Sequence, residues 1–110
     1  MESHVLDIPP CCPVSHNPLL GSTITICYKP QMHVLDVLPL PAYIRSFVGG
    51  LRNAAGEIEV RDMEQMIQRI ADDCCQAVGV PVRVYARLLL RPAQMMMLKA
   101  RAYPKGDEAS

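Results

Sequence analysis

The chain has no net charge: eleven Lys+Arg stand against eleven Asp+Glu in 110 residues, with a pI of 6.8. Binding to nucleic acid or an anionic membrane through bulk charge is therefore not expected, because phosphate neutralisation needs clustered cations. The Lys and Arg residues (Arg45, Arg52, Arg61, Arg69, Arg83 and Arg87 among them) are instead spread along the sequence, with only a mild excess near the end. No apolar run approaches the ~18 residues that would span a bilayer. Residues 1–4 lack the basic segment and long apolar core of a secretory leader. There is no Cys-x-x-Cys or His-x-x-x-His pair, no glycine-rich phosphate loop and no Ser-His-Asp arrangement, so neither a bound metal nor those hydrolytic chemistries are expected. The five cysteines are odd in number and include two adjacent pairs, Cys11/Cys12 and Cys74/Cys75, with no spacing typical of a secreted scaffold. Reduced thiols in a cytoplasmic protein are the expectation.

What the chain does have is apolar surface. Half of its residues are hydrophobic and the mean hydropathy is +0.11. A domain of this size has much surface for its volume, so part of that apolar area is expected to be buried between subunits of a homo-oligomer.

Residues 1–10 end in Pro9-Pro10 without a period and read as an extended arm. Residues 11–103 read as one domain and residues 104–110 as a polar, flexible tail. Within the domain, residues 22–28 alternate Thr23, Thr25, Cys27 with Ile24, Ile26, Tyr28, a strand pattern. The apolar run at 33–38 predicts a second strand, forming an antiparallel hairpin with the first. Pro39 and Pro41 suit a helix start, and Leu40, Tyr43, Ile44, Phe47, Val48 and Leu51 then recur at helical spacing.

A second helix begins at Asp62, where Asp62 and Gln65 form a capping-box pattern. Its predicted apolar stripe is Met63, Met66, Ile67, Ile70, Cys74 and Ala77, and Gly79 ends it. Glu64 falls in its first turn, where the helix dipole favours a carboxylate. Residues 80–90 alternate again, with Val82, Val84, Ala86 and Leu88 opposite Arg83, Tyr85, Arg87 and Leu89. Residues 91–94 turn, and 95–103 return as a strand that divides Met95, Met96 and Met97 between two faces. The expected fold is α+β, in the order β-β-α-α-β-β: a four-stranded antiparallel sheet with two helices on one face. Its other face is expected to carry apolar residues that call for a partner subunit.

The chemistry concentrates at residues 11–21. Cys12 lies on a loop, followed by proline, outside any apolar period. A reactive thiol needs a nearby cation or a helix N-terminus, and His16 is the local candidate. The plainer alternative is that Cys12 is a small buried hydrophobe. A zinc site using Cys11 or Cys12 with His16 would lack a second ligand pair. Glu64 is by default a solvated helix residue.

Cys12-Pro13-Val14-Ser15, running into Ser22-Thr-Ile-Thr-Ile-Cys-Tyr28-Lys-Pro30, resembles the QueF family of the tunnelling-fold (T-fold) superfamily. These are nitrile reductases of queuosine biosynthesis acting on 7-cyano-7-deazaguanine, with archaeal amidinotransferase-like relatives. Tyr43-Ile-Arg-Ser46-Phe47 is similar to the family's first helix, and Glu64 with residues 68–73 is similar to its second. The resemblance implies a T-fold unit assembling into rings with pockets between subunits. It implies that Cys12 attacks the nitrile carbon to form a thioimide and that Glu64 accepts hydrogen bonds from a purine-like bicyclic ligand. NADPH is the reductases' cofactor. The family's proton-donating aspartate, however, is here Leu19, for which His16 is the candidate substitute. Its lysine-bearing NADPH segment aligns with 36–41, which has no lysine; reduction is the family default, and amine transfer to the thioimide needs fewer of the missing residues.

Cys12, Pro18 and Gly21 also match the Cys-x5-Pro-x2-Gly spacing of type I GTP cyclohydrolase. That enzyme's zinc ligands fall here on Ser15 and on the Met95–Met97 run. The alternatives to an enzyme are a non-catalytic purine- or pterin-binding ring or a degenerate cyclohydrolase-like protein.

Overall fold

The computed structural model describes residues 1–12, 17–36, 39–52, 54–60 and 62–105. The elements in chain order are β1 (Glu2–Asp7), β2 (Thr23–Tyr28), α1 (Leu40–Arg45), β3 (Leu51–Arg52), β4 (Ile58–Val60), α2 (Met63–Val78), β5 (Val82–Leu90) and β6 (Gln94–Ala102). The fold is α+β: β1, β2, β5 and β6 form a four-stranded, fully antiparallel sheet in that order. A separate two-stranded ribbon, β3 with β4, lies between the helices in sequence.

Alternation in β2 and β5 sets the faces. Ile24, Ile26 and Tyr28 are buried, as are Val82, Val84, Ala86 and Leu88, while the residues between them are not. Register carries this across the sheet: Ile26 pairs with Val84 and Val84 with Ala100, so inward residues stack in rows. Helix α2 packs on β5 and β6. It buries Met66, Ile67, Ile70, Ala71, Cys74, Cys75 and Val78, and Leu40 and Ile44 of α1 join the same core. The predicted stripe included Ala77, which is exposed; Ala71, Cys75 and Val78 are buried instead, because α2 covers two strands and needs a broader apolar face.

The predicted ends of α2 are observed. Asp62 accepts the Gln65 amide hydrogen at 2.8 Å, and Gly79 closes the helix at φ 73°, donating to Cys75 O at 2.8 Å. The left-handed conformation there suits glycine.

Two expectations are corrected. The strand predicted at 33–38 is absent from the described residues 33–36, while Val37 and Leu38 lie outside the described residues. The Leu35 amide donates to the buried Tyr28 hydroxyl at 2.8 Å rather than to a ladder. The partner of β2 is instead β1, within the stretch read as an arm, with His4 opposite Ile26 and Leu6 opposite Ile24. His4 stacks on Tyr28, with ring centroids 5.9 Å apart.

The sheet's second face carries apolar residues, as expected: Val5, Tyr85, Met95 and Met97 are exposed on it. They are interleaved with Ser3, Asp7, Thr23, Thr25, Cys27 and Leu89 and with the cations Arg83, Arg87, Lys99 and Arg101. No helix among the described residues is long and apolar enough to cross a membrane.

Candidate functional site

The cysteine-bearing loop leaves β1 at Ile8 and re-enters the sheet at Ser22. The Ile8 amide donates to Ser22 O at 3.0 Å, closing the loop at its neck. Inside it, the amides of Cys11 and Cys12 both donate to the Asn17 carbonyl, at 2.8 and 3.0 Å. Gly49, just past α1, donates to Cys11 O at 2.7 Å.

The loop is also tied to the far end of β5. Leu19 N–H donates to Leu89 O at 2.7 Å, and Asn17 Oδ1 accepts from Arg91 N–H at 2.9 Å. Ser22, fully buried, donates its hydroxyl to Leu19 O and accepts from Leu89 N–H, each at 2.8 Å. The chain passes so close to β5 at Gly21 (φ 95°) that a Cβ there would meet Leu89 Cδ1 at 3.2 Å. Asn17 and Ser22 position the loop but were not picked out in the sequence. The available signals were Asn before Pro, a turn-forming dipeptide, and a lone serine entering an apolar strand.

The two adjacent thiols differ. Cys11 is half-buried and donates to Pro9 O at 3.2 Å. Burial, with the neighbouring Cys12 adding to it, pushes the Cys11 pKa up and keeps it a thiol. Cys12 is exposed. None of the five cysteines forms a disulfide. His16 lies outside the described residues, as do Pro13, Val14 and Ser15. Leu19 is half-buried, and its aliphatic side chain carries no titratable proton.

Glu64 is exposed in the first turn of α2, beside the Asp62 cap. One turn on, Gln68 donates to Arg101 O at 2.9 Å, fixing this half of α2 over the end of β6. Arg101 pairs with Arg83, whereas the cysteine loop is tied to Leu89. Those anchor points are six residues apart on β5, about 20 Å of strand. The cysteine loop and the first half of α2 are therefore fastened at opposite ends of the β5–β6 pair.

A groove of about 630 Å³ runs along the outer edge of β1, lined by residues including Val5, Asp7, Leu20, Pro41 and Arg45. Neither Cys12 nor Glu64 lines it. No group of three or more His, Cys, Asp or Glu side chains among the described residues could hold a metal ion. The segment aligned with the reductases' NADPH element places Leu40 in the core and exposes Asp36. With an acid and no cation, it does not fit the cofactor's phosphates.

No protein-family model, curated protein or solved structure matches the chain.

Proposed function

We propose that the chain is a T-fold subunit, active in the cytoplasm, that captures 7-cyano-7-deazaguanine or a related 7-deazapurine through Cys12. It would act in the metabolism of queuosine-type nucleosides. The observation that carries this reading is the contrast within the cysteine pair: Cys12 is exposed on a loop tied to β5, while Cys11 turns its thiol onto Pro9 O. The strand order β1-β2-β5-β6, with both helices inserted between β2 and β5, supports the T-fold. The anchoring of the cysteine loop and of the first half of α2 at opposite ends of the β5–β6 pair supports a pocket shared between copies of a ring, with Cys12 from one subunit and Glu64 from another.

In this reading the Cys12 sulfur adds to the nitrile carbon. One C–N π bond breaks, the C–S bond forms, and a proton goes to the nitrile nitrogen, with His16 as its donor in place of the family's aspartate. An amine then attacks the thioimide carbon and the thiol leaves, giving an amidine without any change in oxidation state. Glu64 accepts hydrogen bonds from the ligand's amino group and ring N–H. Such a contact selects guanine-like edges, because a buried unmatched donor costs about 1–3 kcal/mol. Leu19 at the proton donor's position favours the second reading, a ring that binds the bicyclic ligand without turning it over.

Intact mass after incubation with 7-cyano-7-deazaguanine tests the proposal. An adduct of the ligand's mass is expected on the wild type and on Cys11→Ala, and is expected to be lost in Cys12→Ala and Glu64→Ala. Absence of an adduct at saturating ligand would sink the covalent reading. Ligand binding without an adduct would support the non-catalytic ring.

A further inference from the structure

We propose that the open face of the sheet binds single-stranded nucleic acid. The site is separate from the cysteine loop and does not depend on the chemistry assigned to Cys12. Cations that are scattered in the sequence are gathered by the register. Arg83 lies directly opposite Arg101, Tyr85 opposite Lys99 and Arg87 opposite Met97, all on the face away from the helices. On β2, Cys27, Thr25 and Thr23 extend the same rows. Four exposed cations, Arg83, Arg87, Lys99 and Arg101, therefore share one face, and none of them is in an ion pair among the described residues. Among the described residues of the sheet, the one acid on that face is Asp7, on the far edge strand in the row of Thr23 and Arg87. Zero net charge for the whole chain thus conceals a local excess.

The arrangement is unfavourable without an anion. Side chains directly opposite on neighbouring antiparallel strands have Cβ atoms about 4.5–5.5 Å apart, and like charges placed so repel. Arg83 and Arg101 are such a pair. A phosphate between them would relieve the repulsion, whereas a second copy of the same face would add to it. This argues against self-association through this face.

Tyr85 decides between kinds of polyanion. It stands in the middle of the cluster, with Arg83 and Arg87 two residues to either side on β5 and Lys99 across from it. It is 38% exposed, so part of its ring is open to solvent. An acidic peptide would use the cations and gain little from the ring. A nucleotide strand uses both, setting phosphates on the arginines and a base on the phenol ring, the combination found in single-strand-binding surfaces.

The test is fluorescence anisotropy of the full chain with a labelled twelve-residue oligouridine, titrated at several salt concentrations. Four phosphate contacts predict a slope of about −3 in log Kobs against log[salt]. Arg83→Ala with Arg101→Ala should reduce that slope by about 1.4. Tyr85→Ala should weaken binding about 5- to 100-fold at unchanged slope, since it removes stacking and no charge. Far-ultraviolet circular dichroism checks that each variant is folded. No binding at 50 mM salt, on the order of the lower end of the range where such contacts are strong, would overturn the proposal. Equal affinity for oligoglutamate, or a Tyr85→Ala variant that binds as the wild type does, would also overturn it and point to an acidic protein partner.

Discussion

Tyr43 on α1 donates its hydroxyl hydrogen to Asp73 Oδ2 on α2 at 2.6 Å, and Arg69 Nε holds the other oxygen of that carboxylate at 3.3 Å. The same tyrosine meets Phe47 edge to face, with centroids 5.3 Å apart. One carboxylate thus fastens the short first helix, six residues long, to the sixteen-residue second one. Hydrogen bonds to charged groups contribute more than neutral ones, but this one is only half-buried and Asp73 keeps Arg69. Tyr43→Phe should therefore cost about 1 kcal/mol, a fall in melting temperature of about 5 °C, measurable by thermal denaturation.

The same contact makes stability depend on pH at the alkaline end. Burial, then the Asp73 hydrogen bond and charge, push the Tyr43 pKa well above its ordinary value. Because the folded-state pKa is the higher one, this contribution is fully present below the unfolded pKa of about 10 and is lost as pH rises towards the folded pKa. Wild type should lose stability above about pH 10 more steeply than Tyr43→Phe. Denaturant midpoints between about pH 8 and 11 would show the two converging; parallel curves would mean that the hydroxyl is not held this way.

Thiol reactivity should follow the same logic. Burial, with Asp73 and Cys75 adding to it, pushes the Cys74 pKa up to about 12. Alkylation of the native protein at about pH 8, just below the ordinary thiol pKa, should label Cys12 first and Cys11 more slowly. Cys74 should react only on unfolding. Peptide mapping over time checks the order, and labelling of Cys11 before Cys12 would remove the ground for choosing Cys12 as the nucleophile.

Helix α2 was legible in the sequence because its signals are local: a capping aspartate, an apolar stripe and a terminal glycine within eighteen residues. β5 and β6 were legible by alternation. β1 was not, since an edge strand of the composition Glu-Ser-His-Val-Leu-Asp contributes only half-buried His4 and Leu6 to the core, and its pairing is set by β2 rather than by its own pattern. Residues 33–36 erred the other way, their apolar character lying on the surface, with Val34 65% exposed. At the site, the sequence placed two thiols side by side but not their orientation. That depends on Pro9, Asn17 and Gly49, contacts between residues far apart in the chain or on the backbone.

The caps of α2 offer a quantitative check on the local part of that reading. Asp62→Ala removes the bond to the Gln65 amide and should cost about 1 kcal/mol. Gly79→Ala forces a side chain into the left-handed region and should cost about 1–2 kcal/mol. The two sites are at opposite ends of the helix, so the double variant should show the sum to within about 0.5 kcal/mol in chemical denaturation.

Ser22→Ala is the sharpest test of how the fold holds the cysteine loop. The hydroxyl ties the loop to β5, giving to Leu19 O and taking from Leu89 N–H, and it is shut off from water. Alanine fits the space but leaves the Leu89 amide without that acceptor, a loss of about 1–3 kcal/mol for a buried donor. Leu19 would still donate to Leu89 O, so the loop should loosen rather than detach. The variant should therefore fold with reduced stability, and hydrogen exchange at the Cys11, Cys12 and Leu19 amides should quicken more than in the body of β5. If destabilisation comes with uniform exchange, Ser22 supports the sheet alone. If exchange is selective, the serine couples the order of the Cys12 loop to the end of β5, and adduct formation at Cys12 should slow in the same variant.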